Sequence, residues 1–419
     1  MGGKAGPGLL FILVCAMGAG PVMNYGISAA STLIIADLGI SEGRFGLLAT
    51  GCFLSAALCS LSLGRLSDRI SARAQMLIIF GGSALALLLM AVSGSYWWLL
   101  AAAVLAGPAQ AISNPTTNRI ISHRVEPQRR PGWLGIKQSG VQASQLFSSL
   151  FFPAAALLAG WRGAAVAAAA LLGLLLAYAW RHLPPAADAL AAAAGTVREA
   201  PAADGRTPDA PGRRFPGAVW LLAAFALFSG AGMQATNVYL PLFAQRELGF
   251  PLLLAGATAA AAGVIGVASR VLWGRRMAGG VSAATLLVIL ALGAVGGAGL
   301  LLAAGETGVP ALLWTGVALH GATVLGVNVV VMAGVLRLVP GSRVGAASGV
   351  VSLGMYSGFA LGPLAMGLLL DLSGHFLAGW IFVGSGYLVC LLIGALLHLA
   401  RRRAARIEAA AASAPAADG

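Results

Sequence analysis

Apolar runs of about 20 residues, each closed by a short polar turn, recur along almost the whole chain, and this alternation predicts membrane-spanning helices. The runs cover roughly residues 8–36, 43–63, 75–94, 96–122, 132–158, 164–181, 217–244, 252–273, 281–303, 311–336, 344–371 and 377–399, twelve spans in all. At 1.5 Å per residue such runs cross a hydrocarbon layer of roughly 30 Å as helix. No ten-residue alternation suggests a barrel. His182 to Pro216 is rich in Ala, Pro, Gly and charge and is too polar to insert. The expected fold is therefore an all-α membrane protein of twelve transmembrane helices. It divides into a six-helix half (1–181), a cytoplasmic linker (182–216), a second six-helix half (217–400) and a cytoplasmic tail (401–419).

One stretch breaks the apolar pattern. Asn114 to Gln145, NPTTNRIISHRVEPQRRPGWLGIKQSGVQASQ, reads as a hairpin of two helices about a basic turn near Gln128. Positions equidistant from the turn should lie at similar depth, which pairs Asn114 with Gln142, Asn118 with Gln138 and Arg119 with Lys137. Asn114 and Asn118 are four apart, as are Gln138 and Gln142, so each helix gathers its amides on one face. Lys137 is one of only two lysines, with Lys4. It either snorkels to the interface or, with Arg119, forms a like-charged pair that an anion would relieve.

Composition agrees with the pattern: the 419 residues are 59% hydrophobic and 9% charged. The formal charge of +13 sits in short bunches of arginine between apolar runs, which argues against a nucleic-acid partner. With the N-terminus inside, the inner loops hold Arg65, Arg69, Arg73, Arg124, Arg129, Arg130, Arg181, Arg275, Arg276, Arg337, Arg343 and Arg401 to Arg403, against Arg44, Arg162 and Arg246 outside. This bias predicts a multi-pass protein of the cell (inner) membrane with both termini cytoplasmic. The first apolar run is long and leads into further spans, so no cleavable signal peptide is expected. Cys15, Cys52, Cys59 and Cys390 all lie within apolar runs, without metal spacing or a disulfide framework, and no cofactor, metal or catalytic cluster is called for.

The halves repeat. A shift of 210 maps Met23, Leu38-Gly39, Gly46 and Gly64 onto Met233, Leu248-Gly249, Gly256 and Gly274. A shift of 214 maps Gly107, Asn114, Gly140 and Gly160 onto Gly321, Asn328, Gly354 and Gly374. Duplicated six-helix units imply a pseudo-twofold along the membrane normal with a cavity between halves.

Gly64-Arg65-Leu66-Ser67-Asp68-Arg69-Ile70-Ser71-Ala72-Arg73 resembles the loop signature of the major facilitator superfamily, with Ser71 in place of its second glycine. The resemblance implies a gate in which Gly64, Asp68, Arg69 and Arg73 act together. Gly358, Gly362-Pro363, Gly367 and Asp371 resemble the superfamily's eleventh helix. NPTTNR followed by GIKQSG is similar to a cyanate-type bacterial subgroup. Arg270, four residues before Gly274 in SRVLWG, resembles the eighth-helix arginine of monocarboxylate and oxalate/formate carriers. Two features depart from drug exporters: Ala103 stands near the usual fourth-helix arginine, and Leu146 to Pro153, LFSSLFFP, lacks the antiporter motif.

A guanidinium can grip a carboxylate by two parallel hydrogen bonds, and Asp37, Glu42, Glu247, Glu306 and Asp371 fall at predicted outer ends, leaving the midplane without an acid. A cationic substrate would find no counter-ion there. The candidate substrate-binding residues are Lys137, Arg119, Arg270, Asn24, Tyr25, Asn114, Asn118, Gln138, Gln142, Gln234, Asn237, Tyr239, Asn328 and Tyr356. His320 is the candidate proton carrier, although a midmembrane histidine is more often a hydrogen-bonded packing residue. Together these readings imply a monomeric secondary transporter of a small anion of the carboxylate class, working by alternating access through exchange or proton symport. Its partners would be that anion, the lipid bilayer and protons. An exporter of neutral or hydrophobic drugs and a non-transporting membrane sensor remain the alternatives.

Overall fold

In the computed structural model, which describes residues 6–67, 70–183, 215–339 and 344–412, helix follows helix with no strand among the described residues. The first span is built of three pieces, Pro7–Ala19, Pro21–Ala29 and Ser31–Leu38, the first two bent by 55°. Pro21 lacks an N–H for the helix ladder, and Gly20 lets the bend press on the backbone of Gln110 in the fourth span. The second span is Glu42–Ser67; the third runs from Ala72 to Ala91 through a π-helical stretch, Leu77–Gly81. The fourth, Tyr96–Arg124, leads through the turn Pro127–Arg129 to the fifth, which is Arg130–Gln138 and then Gly140 onward, interrupted at Ser139. Ala159 and Gly160 leave helical geometry within Gly140–His182 and so divide the fifth span from the sixth.

Gly217–Arg246, Leu252–Ala278 and Ala283–Thr307 form the seventh to ninth spans. The tenth is Pro310–Thr323 and Val327–Leu338 joined by a 3-10 turn, Val324–Gly326; Val344–Ser373 and Leu377–Ala412 are the last two. Nine described helices are long and apolar enough to cross a bilayer, or ten when the bent first pair is joined. The number of passes reaches twelve because Gly132–His182 contains two, and because polar side chains dilute the apolar content of the fourth span.

The repeat seen in sequence is a repeat of helix crossings. A Cβ added at Gly46 would strike the Pro363 carbonyl, and one at its counterpart Gly256 would strike that of Ser149. Gly107 rests on the Cys52 carbonyl as Gly321 rests on that of Ala262, and Gly140 on Val14 as Gly354 on Ala223. Gly39 and Gly249 turn at φ 56° and 68°, Gly160 and Gly374 at 68° and 77°, a left-handed geometry that disfavours any residue with a Cβ. Two six-helix halves therefore face each other across a pseudo-twofold.

Hydrogen bonds joining the halves concentrate at the end that carries Glu42 and Asp371, opposite the arginine-rich turns. Ser28 donates to the Asn237 and Val238 carbonyls, Thr32 to Gln245, Thr50 to the Ala360 carbonyl and Tyr239 to the Glu42 carbonyl, while Arg246 pairs with Glu42. This far end is latched. Residues 184–214 of the expected linker and 413–419 of the tail lie outside the described residues, and the last helix runs on to Ala412, past the boundary expected at 400.

Candidate functional site

A cavity of about 150 Å³ lies between the halves, walled by the first, fourth, fifth, seventh, tenth and eleventh spans, with the second reaching in through Phe53 and the eighth through Arg270. Ten of the residues singled out by sequence line it: Asn24, Tyr25, Asn114, Gln138, Gln142, Gln234, Asn237, Arg270, Asn328 and Tyr356. No Asp or Glu does so among the described residues. Met17, Phe53, Met233, Met355 and Phe359 supply apolar surface between the polar groups.

Arg270 owes its position to two helix irregularities. Its Nε donates to the Leu325 carbonyl (3.0 Å) in the 3-10 turn of the tenth span, and its Nη1 donates to the Gln138 carbonyl (3.1 Å) beside the break at Ser139. The guanidinium thus bridges the halves and retains three N–H donors. Ser269 and Trp273 hold the same 3-10 turn, both donating to the Ala322 carbonyl at 2.7 Å. A cation fixed by backbone carbonyls, with spare donors and no facing carboxylate, is suited to grip an anion.

Across the cavity, Asn237 is the hub of a buried amide network. Its Oδ1 lies 3.2 Å from His320 Nε2 and accepts from Gln145 Nε2 at 3.4 Å, while its Nδ2 donates to Gln234 Oε1 at 3.3 Å. An amide oxygen only accepts, so His320 carries its ring hydrogen on Nε2 in this arrangement. His320 is buried behind the wall, satisfied by packing and this bond. Asn24 Nδ2 donates to Cys52 Sγ (3.1 Å), whose thiol reaches Gln110 Oε1 (3.8 Å), tying three spans of the first half together.

Lys137 differs from expectation. Its side chain has no exposed surface, which overturns the snorkelling alternative, yet it does not line the cavity. Helical spacing explains this: Gln138, Val141 and Gln142 face the cavity, so Lys137, Gly140 and Ser144, at i, i+3 and i+7, form the stripe packed on the first span. Nζ lies 2.7 Å from Asn114 Oδ1, 2.8 Å from Thr117 Oγ1 and 3.9 Å from Met17 Sδ.

Four other candidates also lie off the cavity. Arg119 does not face Lys137; its Nη1 donates to the Ile70 carbonyl at 3.3 Å. Asn118 is exposed one turn beyond the cavity, because Lys137 takes the place opposite Asn114 that the hairpin register assigned to Gln142. Tyr239 is buried at the far-end latch, against Phe45 and the Glu42 carbonyl. His320 touches the cavity only through Asn237. Of the expected gate, Asp68 and Arg69 lie outside the described residues, and Gly64 lies in the last turn of the second helix, which runs to Ser67. Arg73 ties the third span to the sixth by donating to the Leu183 carbonyl (2.8 Å) with its guanidinium over Trp180, within one half. Gln110, Ser113 and Gln145 were not singled out by sequence. Gln110 could have been, as it precedes Asn114 by one turn on the same face.

The family model of the Major Facilitator Superfamily matches residues 10–305. Among solved structures, the chain is similar to a bacterial homologue of the human lysosomal transporter Spinster. Against its inward-facing, occupied form the TM-score is 0.72 at 17% identity, covering 94% of this chain and 96% of that one. Against the inward-facing, unoccupied form it is 0.73 at 17% identity, covering 95% and 98%. A variant of the nucleoside transporter NupG gives 0.71 at 14% identity, covering 93% and 99%. No curated protein matches.

Proposed function

The chain belongs to the major facilitator superfamily, and on that premise we propose that this transporter carries a small organic anion, a carboxylate, by alternating access. The observation that carries the reading is Arg270, a cation on the cavity wall with no acid beside it among the described residues. Its remaining N–H donors would take the carboxylate, while Tyr25, Gln142, Gln234, Asn328 and Tyr356 would orient the rest of the molecule. Because Arg270 also spans the two halves, an anion that competes for its donors acts on the contact that must break when the halves rock.

A cavity of about 150 Å³ suits a compact molecule. An engineered protein cavity of roughly that size admits benzene, so benzoate and lactate are fitting probes. With the far end latched and Asn114 and Asn118 exposed, this state opens towards the arginine-rich side, which we take as the cytoplasm. The cavity is completed within one chain, so a monomer suffices.

Thermal unfolding of the purified protein tests the reading. A carboxylate at a hundred times its Kd stabilises by about 2.7 kcal/mol, and Arg270→Gln removes that gain. Stabilisation by neutral drugs alone, unchanged in the variant, would favour the apolar Met and Phe walls as the binding surface and make the protein an exporter of hydrophobic compounds.

A further inference from the structure

Lys137 is a buried ionisable group that the carboxylate site does not use. Three acceptors surround its Nζ, one for each ammonium hydrogen: Asn114 Oδ1, Thr117 Oγ1 and, more distantly, Met17 Sδ. All three are neutral. The ionisable groups on the elements packed against it are Cys15, Tyr25 and Asp37 on the first span, Tyr96, Arg119, His123 and Arg124 on the fourth, and Arg129 and Arg130 at the turn; Asp37 is paired with Arg162 at the far end. Arg162, Tyr178, Arg181 and His182 lie further along the fifth and sixth spans, and the acid nearest in the chain, Glu126, is exposed. No carboxylate among the described residues balances the ammonium. Asn114 and Met17 nevertheless line the cavity, so an anion held there lies one side chain away.

The cage fits both protonation states. The amide oxygen and the thioether only accept, whereas the Thr117 hydroxyl can accept or donate. In this structure it accepts from Nζ and donates towards the Ser113 carbonyl at 2.8 Å. When Nζ loses a proton, its lone pair can receive the Thr117 O–H without movement of the helices, and its two remaining hydrogens keep Asn114 and Met17.

We propose that Lys137 is the proton-carrying group of transport: it holds a proton while an anion occupies the cavity and releases it to water when the cavity empties. This rests on the anion reading above. The charge balance is closed, since one anion and one proton cross together and the ammonium meets a counter-ion only in the loaded state. His320 is less suited, because its Nε2 is committed to an Asn237 oxygen already shared with Gln145.

Two lysines in the chain make the test direct. Protein grown with 13Cε-lysine and placed in nanodiscs should give two resonances, assigned with Lys4→Arg. Benzoate and lactate are added at fixed pH between 7 and 9, with anion binding followed in parallel by thermal stabilisation. The proposal expects the Lys137 resonance to move towards the ammonium position on loading, Lys4 to stay still, and Thr117→Val to shrink the response at least threefold. In proteoliposomes, Lys137→Arg should lower the ratio of proton-driven uptake to anion exchange at least tenfold, and His320→Gln should not. If anions stabilise the protein while the Lys137 resonance ignores them, the proposal is overturned and the anion reading stands. If no anion stabilises it, both fall. Loss of proton-driven uptake in His320→Gln with retention in Lys137→Arg would move the proton to the histidine and overturn the proposal.

Discussion

Asp371 of the eleventh span caps the second span from across the interface: its Oδ2 lies 3.0 Å from the Gly43 amide nitrogen and 2.8 Å from Ser41 Oγ. A carboxylate at a helix N-terminus accepts orphan N–H groups and meets the positive end of the helix dipole. Here the helix and its cap belong to different halves. The bond can exist only while the far end is closed, and the neighbouring Arg246–Glu42 pair and the Tyr239 hydroxyl bond share that condition.

Asp371→Ala should therefore loosen the far end. A hydrogen bond to a charged group contributes about 1.5–3 kcal/mol, so exchange of the Gly43 amide should accelerate roughly tenfold or more by hydrogen–deuterium mass spectrometry. Exchange in the third span should not change. Uniform acceleration through the chain would mean general destabilisation and sink the latch.

The paired glycine crossings predict paired costs. Gly140→Ala and Gly354→Ala both drive a methyl into a backbone carbonyl of the adjacent span, and overpacking of that kind costs about 1–3 kcal/mol. Gly135→Ala, in open space on the fifth span, should be neutral or slightly stabilising, since alanine favours helix. Thermal unfolding of the three variants checks this, and equal melting temperatures would contradict the pseudo-symmetric packing.

Asn237→Ala removes one oxygen that serves both His320 and Gln145. Each orphaned buried group carries a desolvation cost of about 1–3 kcal/mol, and the two share one partner, so the losses should not add. A double-mutant cycle with His320→Phe should give a coupling of at least about 0.5 kcal/mol. Strict additivity would show that the contact carries no energy.

The fold was legible in the sequence because its determinants are local. Apolar run length sets the spans, and glycines at matched spacing report crossings that tolerate no Cβ, so Gly46 and Gly256 identify the duplication even where their neighbours differ. Seven of the cavity residues, the asparagines and glutamines among those read from sequence, were legible because amides are costly in lipid and are placed where a wall can satisfy them. Lys137 was misplaced for a geometrical reason. Counting from the turn assumes an even hairpin and says nothing of rotation about each axis, whereas Lys137 lies opposite Asn114 rather than Arg119, and the short turn Pro127–Arg129 with the interruption at Ser139 lies between them. The Asp371–Gly43 cap joins residues 328 apart, and nothing in either local sequence specifies the other. Arg270 lay between, since its presence in an apolar run marked it while its anchoring carbonyls, Gln138 and Leu325, depend on irregularities visible only in three dimensions.

The central claim is that a carboxylate is bound through Arg270 and carried. The most direct measurement is exchange of radiolabelled benzoate and lactate into proteoliposomes, in the wild type and in Arg270→Gln, each challenged with the unlabelled acid or its neutral amide. The account predicts saturable exchange inhibited by the acid but not the amide, and at least a hundredfold loss of kcat/KM in the variant, about 2.7 kcal/mol of lost stabilisation at 1.36 kcal/mol per tenfold. Equal inhibition by acid and amide, or exchange that survives in Arg270→Gln, would contradict it.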